Sequence, residues 1–311
     1  MERSLAGTKH QAEGAASRGM GDRMRTIRIW QVGDTHLSVE RPFFQGNWDA
    51  FAALVAAERP DLVVHSGDLA LDAAERPGDL DAGQAAMRAL ASDWLVIPGN
   101  HDVGDNQAPG HAPKRPVSAP LLATWRARFG ACRWHRDIGA WRIIGLNAQL
   151  LADAPPAPLA AEAEAQWEFL ARSLDTERPV LLFMHKPLFV TVPGAQAEPT
   201  LRYVPPAAAA RLLALIGTTT VRIVASGHVH QHRQRSHAGI AFVWAPATAF
   251  TVPDRLQAPV GSKDLGFVAF DLHEDGSFHV SVVVPDSFVA NDITDFPAAY
   301  PKPAAVAANA G

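Results

Sequence analysis

Trp94-Leu95-Val96-Ile97-Pro98-Gly99-Asn100-His101-Asp102 is an apolar run that stops at a Pro-Gly pair, then delivers an amide, an imidazole and a carboxylate in consecutive positions. A short continuous apolar run reads as a strand buried on both faces. In sheets built of such strands, ligands bind just beyond the carboxyl ends. The stretch therefore reads as a buried strand that ends at a site.

Working outward, four other segments share this form. Residues 26–32 run into Gly33-Asp34-Thr35-His36, and residues 61–64 run through His65-Ser66 into Gly67-Asp68. Residues 180–184 end in His185, and residues 221–225 end in Ser226-Gly227-His228-Val229-His230. Residues two apart in an extended segment point to the same side, so Asp34 with His36, and His228 with His230, can each present two groups in one direction. Carboxylate and neutral imidazole donors suit divalent ions such as Mn, Fe and Zn. One ion takes about four to six donors. Asp34, His36, Asp68, Asn100, His185, His228 and His230 make seven candidates, too many for one ion and suited to two that share a bridging carboxylate.

Between these segments the apolar spacing predicts helices over 47–58, 79–90, 121–129, 160–174 and 207–216, and a strand over 141–146. Strand alternating with helix is the rhythm of an α/β fold. Runs rich in β-branched and aromatic residues predict further strands at 240–244, 266–272 and 277–284, the last two joined as a hairpin by Glu274-Asp275-Gly276. Two irregular stretches, 103–120 and 187–206, follow candidate ligands and are expected to wall a pocket. His111, Lys114, Arg115, Arg202 and Tyr203 are their candidate substrate contacts. No basic cluster interleaved with aromatics lines these loops, which disfavours long nucleic acid.

A chain of 311 residues can bury a large core, and its 48% hydrophobic and 19% charged content suits a globular enzyme. The net charge of −4 offers no basic field for nucleic acid or an anionic membrane. The single cysteine, Cys132, excludes an intramolecular disulfide and any cysteine-rich metal site; it reads as a small buried hydrophobe. With no internal repeat and no linker, residues 26–295 read as one catalytic domain. Residues 1–25 read as a disordered extension lacking the roughly 7–15-residue apolar core of a secretory signal. Residues 296–311 read as a Pro/Ala-rich tail, disordered or draped over the surface. No apolar stretch approaches the length of about 18 needed to span a bilayer, so a cytoplasmic location is expected. The oligomeric state is open, a homo-oligomer included.

Taken together, Asp34-Thr35-His36, Gly67-Asp68, Gly99-Asn100-His101-Asp102, His185 and Gly227-His228-Val229-His230 resemble the calcineurin-like metallophosphoesterase superfamily, whose pattern is D-x-H, G-D, G-N-H-[DE], H and G-H-x-H in that order. Any one fragment is weak; the ordered set is specific. The resemblance implies a four-layer α/β/β/α sandwich, two mixed β-sheets face to face with helices outside. It implies that Asp34, His36, Asp68 and His230 hold one ion and that Asp68, Asn100, His185 and His228 hold another, with Asp68 bridging. It also implies that His101 is a catalytic histidine rather than a ligand, with Asp102 as its orienting partner.

The function expected from two such ions is in-line attack of a metal-bound hydroxide on a phosphate ester, with His101 serving the leaving oxygen. The His185 and Gly227-His228-Val229-His230 segments are most similar to the bacterial branch that includes cyclic-nucleotide phosphodiesterases and glycerophosphodiesterases, so a small phosphodiester is the expected substrate. A phosphomonoesterase or a nucleotide pyrophosphatase is the alternative, and a non-catalytic binding scaffold is the reading from another class. One departure is that the branch often carries His-His-Pro where this chain has His185-Lys186-Pro187. Lys186 is expected to face solvent rather than to add charge beside a phosphate. Of the remaining histidines, His65 reads as a packed core residue, and His10, His111, His135, His232, His237, His273 and His279 as solvated. Trp48, Trp94, Trp125, Trp141 and Trp167 read as core.

Overall fold

The structure, a computed structural model, describes residues 25–108, 110, 112–190 and 201–301. In chain order the elements are β1 (Ile27–Val32), α1 (Gln45–Glu58), β2 (Leu62–His65), α2 (Gly78–Arg88), β3 (Trp94–Val96), α3 (Asn100–Val103), α4 (Ala119–Phe129), β4 (Trp134–Ile138), β5 (Trp141–Leu146), α5 (Ala157–Leu174), β6 (Val180–Met184), α6 (Pro206–Ile216), β7 (Val221–Ser226), β8 (Arg233–His237), β9 (Ile240–Trp244), β10 (Phe267–Leu272) and β11 (Phe278–Val283).

They build two mixed sheets, ordered β11-β10-β1-β2-β3 and β4-β5-β6-β7-β9-β8. β1, β2 and β3 are parallel, as are β5, β6, β7 and β9; β10, β11, β4 and β8 add antiparallel flanks. Alternation within each strand decides which layer a side chain enters. Ile27 and Ile29 of β1, Leu62 and Val64 of β2, Leu181 and Phe183 of β6, and Ile223 and Ala225 of β7 meet between the sheets. Trp30, Val32 and Val63 face the other way, onto Trp48, Phe51 and Val55 of α1 and Leu80 and Met87 of α2. Leu182 and Met184 likewise face Trp167 and Leu170 of α5 and Leu212 and Ile216 of α6. This is the expected α/β/β/α sandwich.

Each helix lies where a stripe of apolar residues needs cover. Trp48, Phe51 and Val55 recur at helical spacing along α1. That helix ends at Arg59, which adopts the left-handed conformation (φ 51°) just before Pro60. The parallel registers end level: Val32 lies opposite His65, and His65 opposite Val96. The turns that follow β1, β2 and β3 therefore emerge side by side, and those after β6 and β7 face them from the second sheet. Gln31 ties the two, its amide donating to Ser66 Oγ at 3.0 Å and to the Ser226 carbonyl at 3.1 Å.

Several expectations are corrected. β4 and β8 were not predicted; they are polar edge strands, Trp-His-Arg-Asp-Ile and Arg-Gln-Arg-Ser-His, with no apolar alternation to reveal them. Residues 296–301 are neither loose nor merely draped. Phe296 packs on Phe44 at a ring-centroid distance of 4.8 Å and Tyr300 on Phe250 at 5.0 Å. The packed domain thus continues past 295, because two aromatic side chains find an apolar seat beside α1. Residues 1–24 and 302–311 lie outside the described residues.

Candidate metal centre

The turns after β1, β2, β6 and β7 and the first turn of α3 bring all seven candidate donors to one place. Asp34, His36 and His230 form one group, and Asp68, His185 and His228 another; in each group the donor atoms all lie within 4.8 Å of one another. Asp68 also joins His36 and His101 in a third group, so it lies between the two halves. Asn100 Oδ1 completes the second half, 3.2 Å from His185 Nε2. His185 Nε2 lies 3.3 Å from Asp68 Oδ2, and His230 Nε2 lies 3.4 Å from Asp34 Oδ1.

Convergence is achieved by strained backbone. Asp34, His36, Asp68, His228 and His230 have φ between 48° and 70°, and they are five of the seven non-glycine residues with positive φ among the described residues. Such conformations persist only where the surroundings over-determine them, and they cluster at functional sites. Two glycines make room. A Cβ on Gly99 would lie 2.1 Å from Asp68 Oδ1, and one on Gly67, at φ 105°, would lie 2.5 Å from His185 Nδ1.

Each imidazole is oriented through its other ring nitrogen, the usual arrangement around a metal. His185 Nδ1 faces the Ser66 carbonyl at 2.9 Å, His228 Nε2 the Leu201 carbonyl at 3.2 Å, and His230 Nδ1 the Phe250 carbonyl at 2.9 Å. A carbonyl can only accept, so each of these nitrogens carries a proton and the opposite one is turned toward the donor cluster. His185 Nε2 and His228 Nδ1 consequently face each other at 3.1 Å. His36 differs: its Nδ1 meets the hydroxyl of Tyr300 at 3.1 Å.

The donors fit metal ions on their own chemistry. Among the described residues His36 Nε2 is a buried atom with no hydrogen-bond partner, and Asp34 Oδ1 has His230 Nε2 beside it at 3.4 Å without a well-formed hydrogen bond; an unsatisfied buried polar atom is costly unless something occupies it. Two fully buried carboxylates, Asp34 and Asp68, also need positive charge. The neighbouring histidines respond to these two carboxylates. Burial would lower the pKa of His185, but Asp68 raises it to about 9, and Asp34 raises that of His230 against the same burial. Burial would raise the pKa of Asp68, but His185 and His101 hold it well below the usual carboxylate range. His36 and His228 are driven well below the ordinary histidine value, mainly by burial, and so stay neutral and ligand-competent.

Residues 27–232 match the family described as calcineurin-like phosphoesterase. The chain belongs to that family. Its fold is shared at low identity by solved structures. The Plasmodium protein titled "GAP50 the anchor in the inner membrane complex" has a TM-score of 0.58 at 15% identity, over 85% of this chain and 86% of that one. A dimetal phosphatase from Danio rerio has a TM-score of 0.57 at 14% identity, over 83% and 96%. The purple acid phosphatase PPD1 from yellow lupin has a TM-score of 0.61 at 17% identity over 88% of this chain, which spans 55% of that one. No curated protein sequence matches the chain. Among the described residues of this calcineurin-like phosphoesterase, no helix is long and apolar enough to cross a membrane.

His101 stands where the family pattern puts it, its ring 4.6 Å from that of His36 and nearly perpendicular. Its backbone amide donates to Asp68 Oδ1 at 2.8 Å, and its Nδ1 lies 2.7 Å from the Leu71 carbonyl. That carbonyl, not Asp102, orients the ring. Asp102 uses its carboxylate on the backbone amides of Gly99 (2.8 Å), Ala70 (2.8 Å) and Leu69 (3.2 Å), so it fixes the loops that carry Asp68 and Asn100. Burial, reinforced by Asp68, pushes its pKa up to about 7.

A cavity of about 300 Å³ opens on Asn100 and His101 and is walled by Asp72, Asp105, Lys114 and Arg115. Of the expected substrate contacts, Lys114 and Arg115 reach it, although Arg115 is paired with Asp72 and Glu75. Tyr203 does not serve as a wall; it is buried with Val229 and Trp244 behind the His228–His230 turn. Arg202 is exposed next to Leu201, and His111 lies outside the described residues. Lys186 is corrected most sharply. It is fully buried, and its ammonium pairs with Asp105 and Asn106. His65 is the packed residue expected, its Nε2 2.9 Å from Thr35 Oγ1. Sequence reasoning missed Tyr300, which touches a ligand from 264 positions away.

Proposed function

We propose that this chain hydrolyses small phosphodiesters, of the cyclic-nucleotide or glycerophosphodiester kind, with the two ions held as the family pattern implies. Asp34, His36, Asp68 and His230 would hold the first, and Asp68, Asn100, His185 and His228 the second. Such ions, when bound, supply Lewis acidity toward phosphoryl oxygens and make water nucleophilic at neutral pH. The observation that carries the reading is the convergence of seven donors around His36 Nε2, a buried atom that no group among the described residues satisfies. An intact donor set of this kind argues against a scaffold that has lost its chemistry.

The chain's own residues then divide the work. His101, with its Nδ1 proton held by the Leu71 carbonyl, keeps Nε2 for the substrate; as the doubly protonated imidazolium it would pass the Nε2 proton to the leaving oxygen as the P–O bond breaks, returning to the neutral ring. Asp102 holds the Gly99 turn and the Leu69-Ala70 amides, keeping His101 and Asp68 in register. The cavity wall favours a diester. Arg115 is neutralised by Asp72 and Glu75, and Asp105 by the buried Lys186, so among the described residues Lys114 is the cation that remains on the wall, which supports a singly charged diester over a doubly charged monoester.

The test is hydrolysis of bis(p-nitrophenyl) phosphate against p-nitrophenyl phosphate by Mn-loaded protein, with His101→Ala alongside. Diester preference is expected, with turnover lowered about 10²–10⁴-fold in the variant and metal content unchanged. Monoester preference would move the assignment to a phosphatase, and loss of an ion from His101→Ala would remove that residue from its role.

A further inference from the structure

We infer that Tyr300 is a positioning residue for the metal centre: its hydroxyl, brought in by the C-terminal segment, accepts the Nδ1 proton of His36 and so aims His36 Nε2 at the first ion. The inference rests on the reading that the donor set holds two ions. If His36 binds through its buried, unpartnered Nε2, then Nδ1 carries the proton. The group 3.1 Å from Nδ1 is the Tyr300 hydroxyl. Three of the four ligand histidines are oriented by backbone carbonyls; His36 alone relies on a side chain, and that side chain comes from the far end of the chain.

The segment that carries Tyr300 is tied down at several points. The amide of Thr251 donates to the Asn291 carbonyl at 2.9 Å, and that of Ile293 donates back to the Thr251 carbonyl at 3.0 Å. Phe296 then seats on Phe44, and the Tyr300 amide donates to the Phe296 carbonyl at 2.8 Å. The phenol ring rests on Phe250, whose carbonyl orients His230. Both imidazoles of the first ion are thus held by one aromatic cluster, and among the described residues Phe44, Phe250, Phe296 and Tyr300 make no ring contact with His185 or His228. Tyr300 therefore acts on one ion only.

The experiment is calorimetric titration of the metal-free full-length protein with Mn²⁺, comparing wild type, Tyr300→Phe and Tyr300→Ala, with thermal unfolding of each metal-free form. Tyr300→Phe keeps the ring on Phe250 and removes only the hydroxyl. It is expected to weaken one of the two binding events about 10–100-fold, leaving the other event and the unfolding midpoint as in wild type. Binding of both ions at wild-type strength by Tyr300→Phe, with loss only in Tyr300→Ala, would show a packing role and overturn the inference alone. Failure of the wild type to bind two ions would overturn the functional reading and the inference together.

Discussion

The two halves of the metal centre are built differently. The second half takes two donors from regular structure, His185 directly after β6 and Asn100 as the first residue of α3, and one, His228, from a left-handed turn; both of its histidines are oriented by backbone carbonyls. The first half takes Asp34, His36 and His230 from left-handed turns, and one of its histidines depends on a phenol from the C-terminal segment. The second half is oriented by backbone partners, whereas the first half also needs a side chain from a segment remote in sequence. The second half should accordingly be the better preformed of the two.

Removing what the halves share abolishes the comparison. Asp68→Asn is expected to leave both ions unbound and to lower turnover on the order of 10³-fold or more; metal content by mass spectrometry with parallel kinetics checks this. Retention of both ions would show that Asp68 does not bridge. Undermining the second half from beneath has the next largest effect. Lys186→Met leaves the Asp105 carboxylate, 14% exposed, without its cation, and breaking such a pair costs about 3 kcal/mol. Chemical denaturation should show that loss, and an unchanged midpoint would mean that Asp105 neutralises itself at no cost.

The smallest effect sharpens the first half. His65 backs Thr35, between the ligands Asp34 and His36, and burial lowers its pKa from 6.5 to about 3. The unfolded chain therefore binds an extra proton as pH falls below 6.5, so stability from this residue is complete above 6.5 and is lost on acidification toward about 3. At pH 5 the loss amounts to about 2 kcal/mol. The difference in pH dependence of unfolding between wild type and His65→Asn isolates it; identical slopes would place His65 in an exchangeable, solvated position.

The same contrast explains what the sequence made legible. Buried parallel strands write continuous apolar runs, so β1, β2, β6 and β7 and the candidate ligands at their ends could be read directly; β3, expected to be buried on both faces, is a half-buried edge strand that was legible because its Trp-Leu-Val is still apolar. β4 and β8 could not, because an exposed edge carries Arg, Asp and His where a core strand carries Val and Ile. Lys186 was misjudged since nothing local marks its partner, Asp105, 81 positions earlier. Asp102 sits next to His101 in sequence, yet the one-turn helix α3 turns its carboxylate back onto the Gly99 amide, and adjacency misled. Tyr300 lay in a Pro/Ala-rich stretch whose composition conceals two aromatic anchors. Patterns within an element were legible, whereas pairings between distant side chains were not.

The left-handed turns at Asp34, His36, Asp68, His228 and His230 set stability against activity at the same five positions. An L-residue in that conformation costs about 1–2 kcal/mol that glycine does not incur. Glycine there would relax the backbone and remove a candidate ligand in the same step. Any screen for heat resistance that ignores hydrolysis is therefore drawn toward inactive protein at these five sites, and engineering of this chain has to keep the strained residues and seek its gains elsewhere.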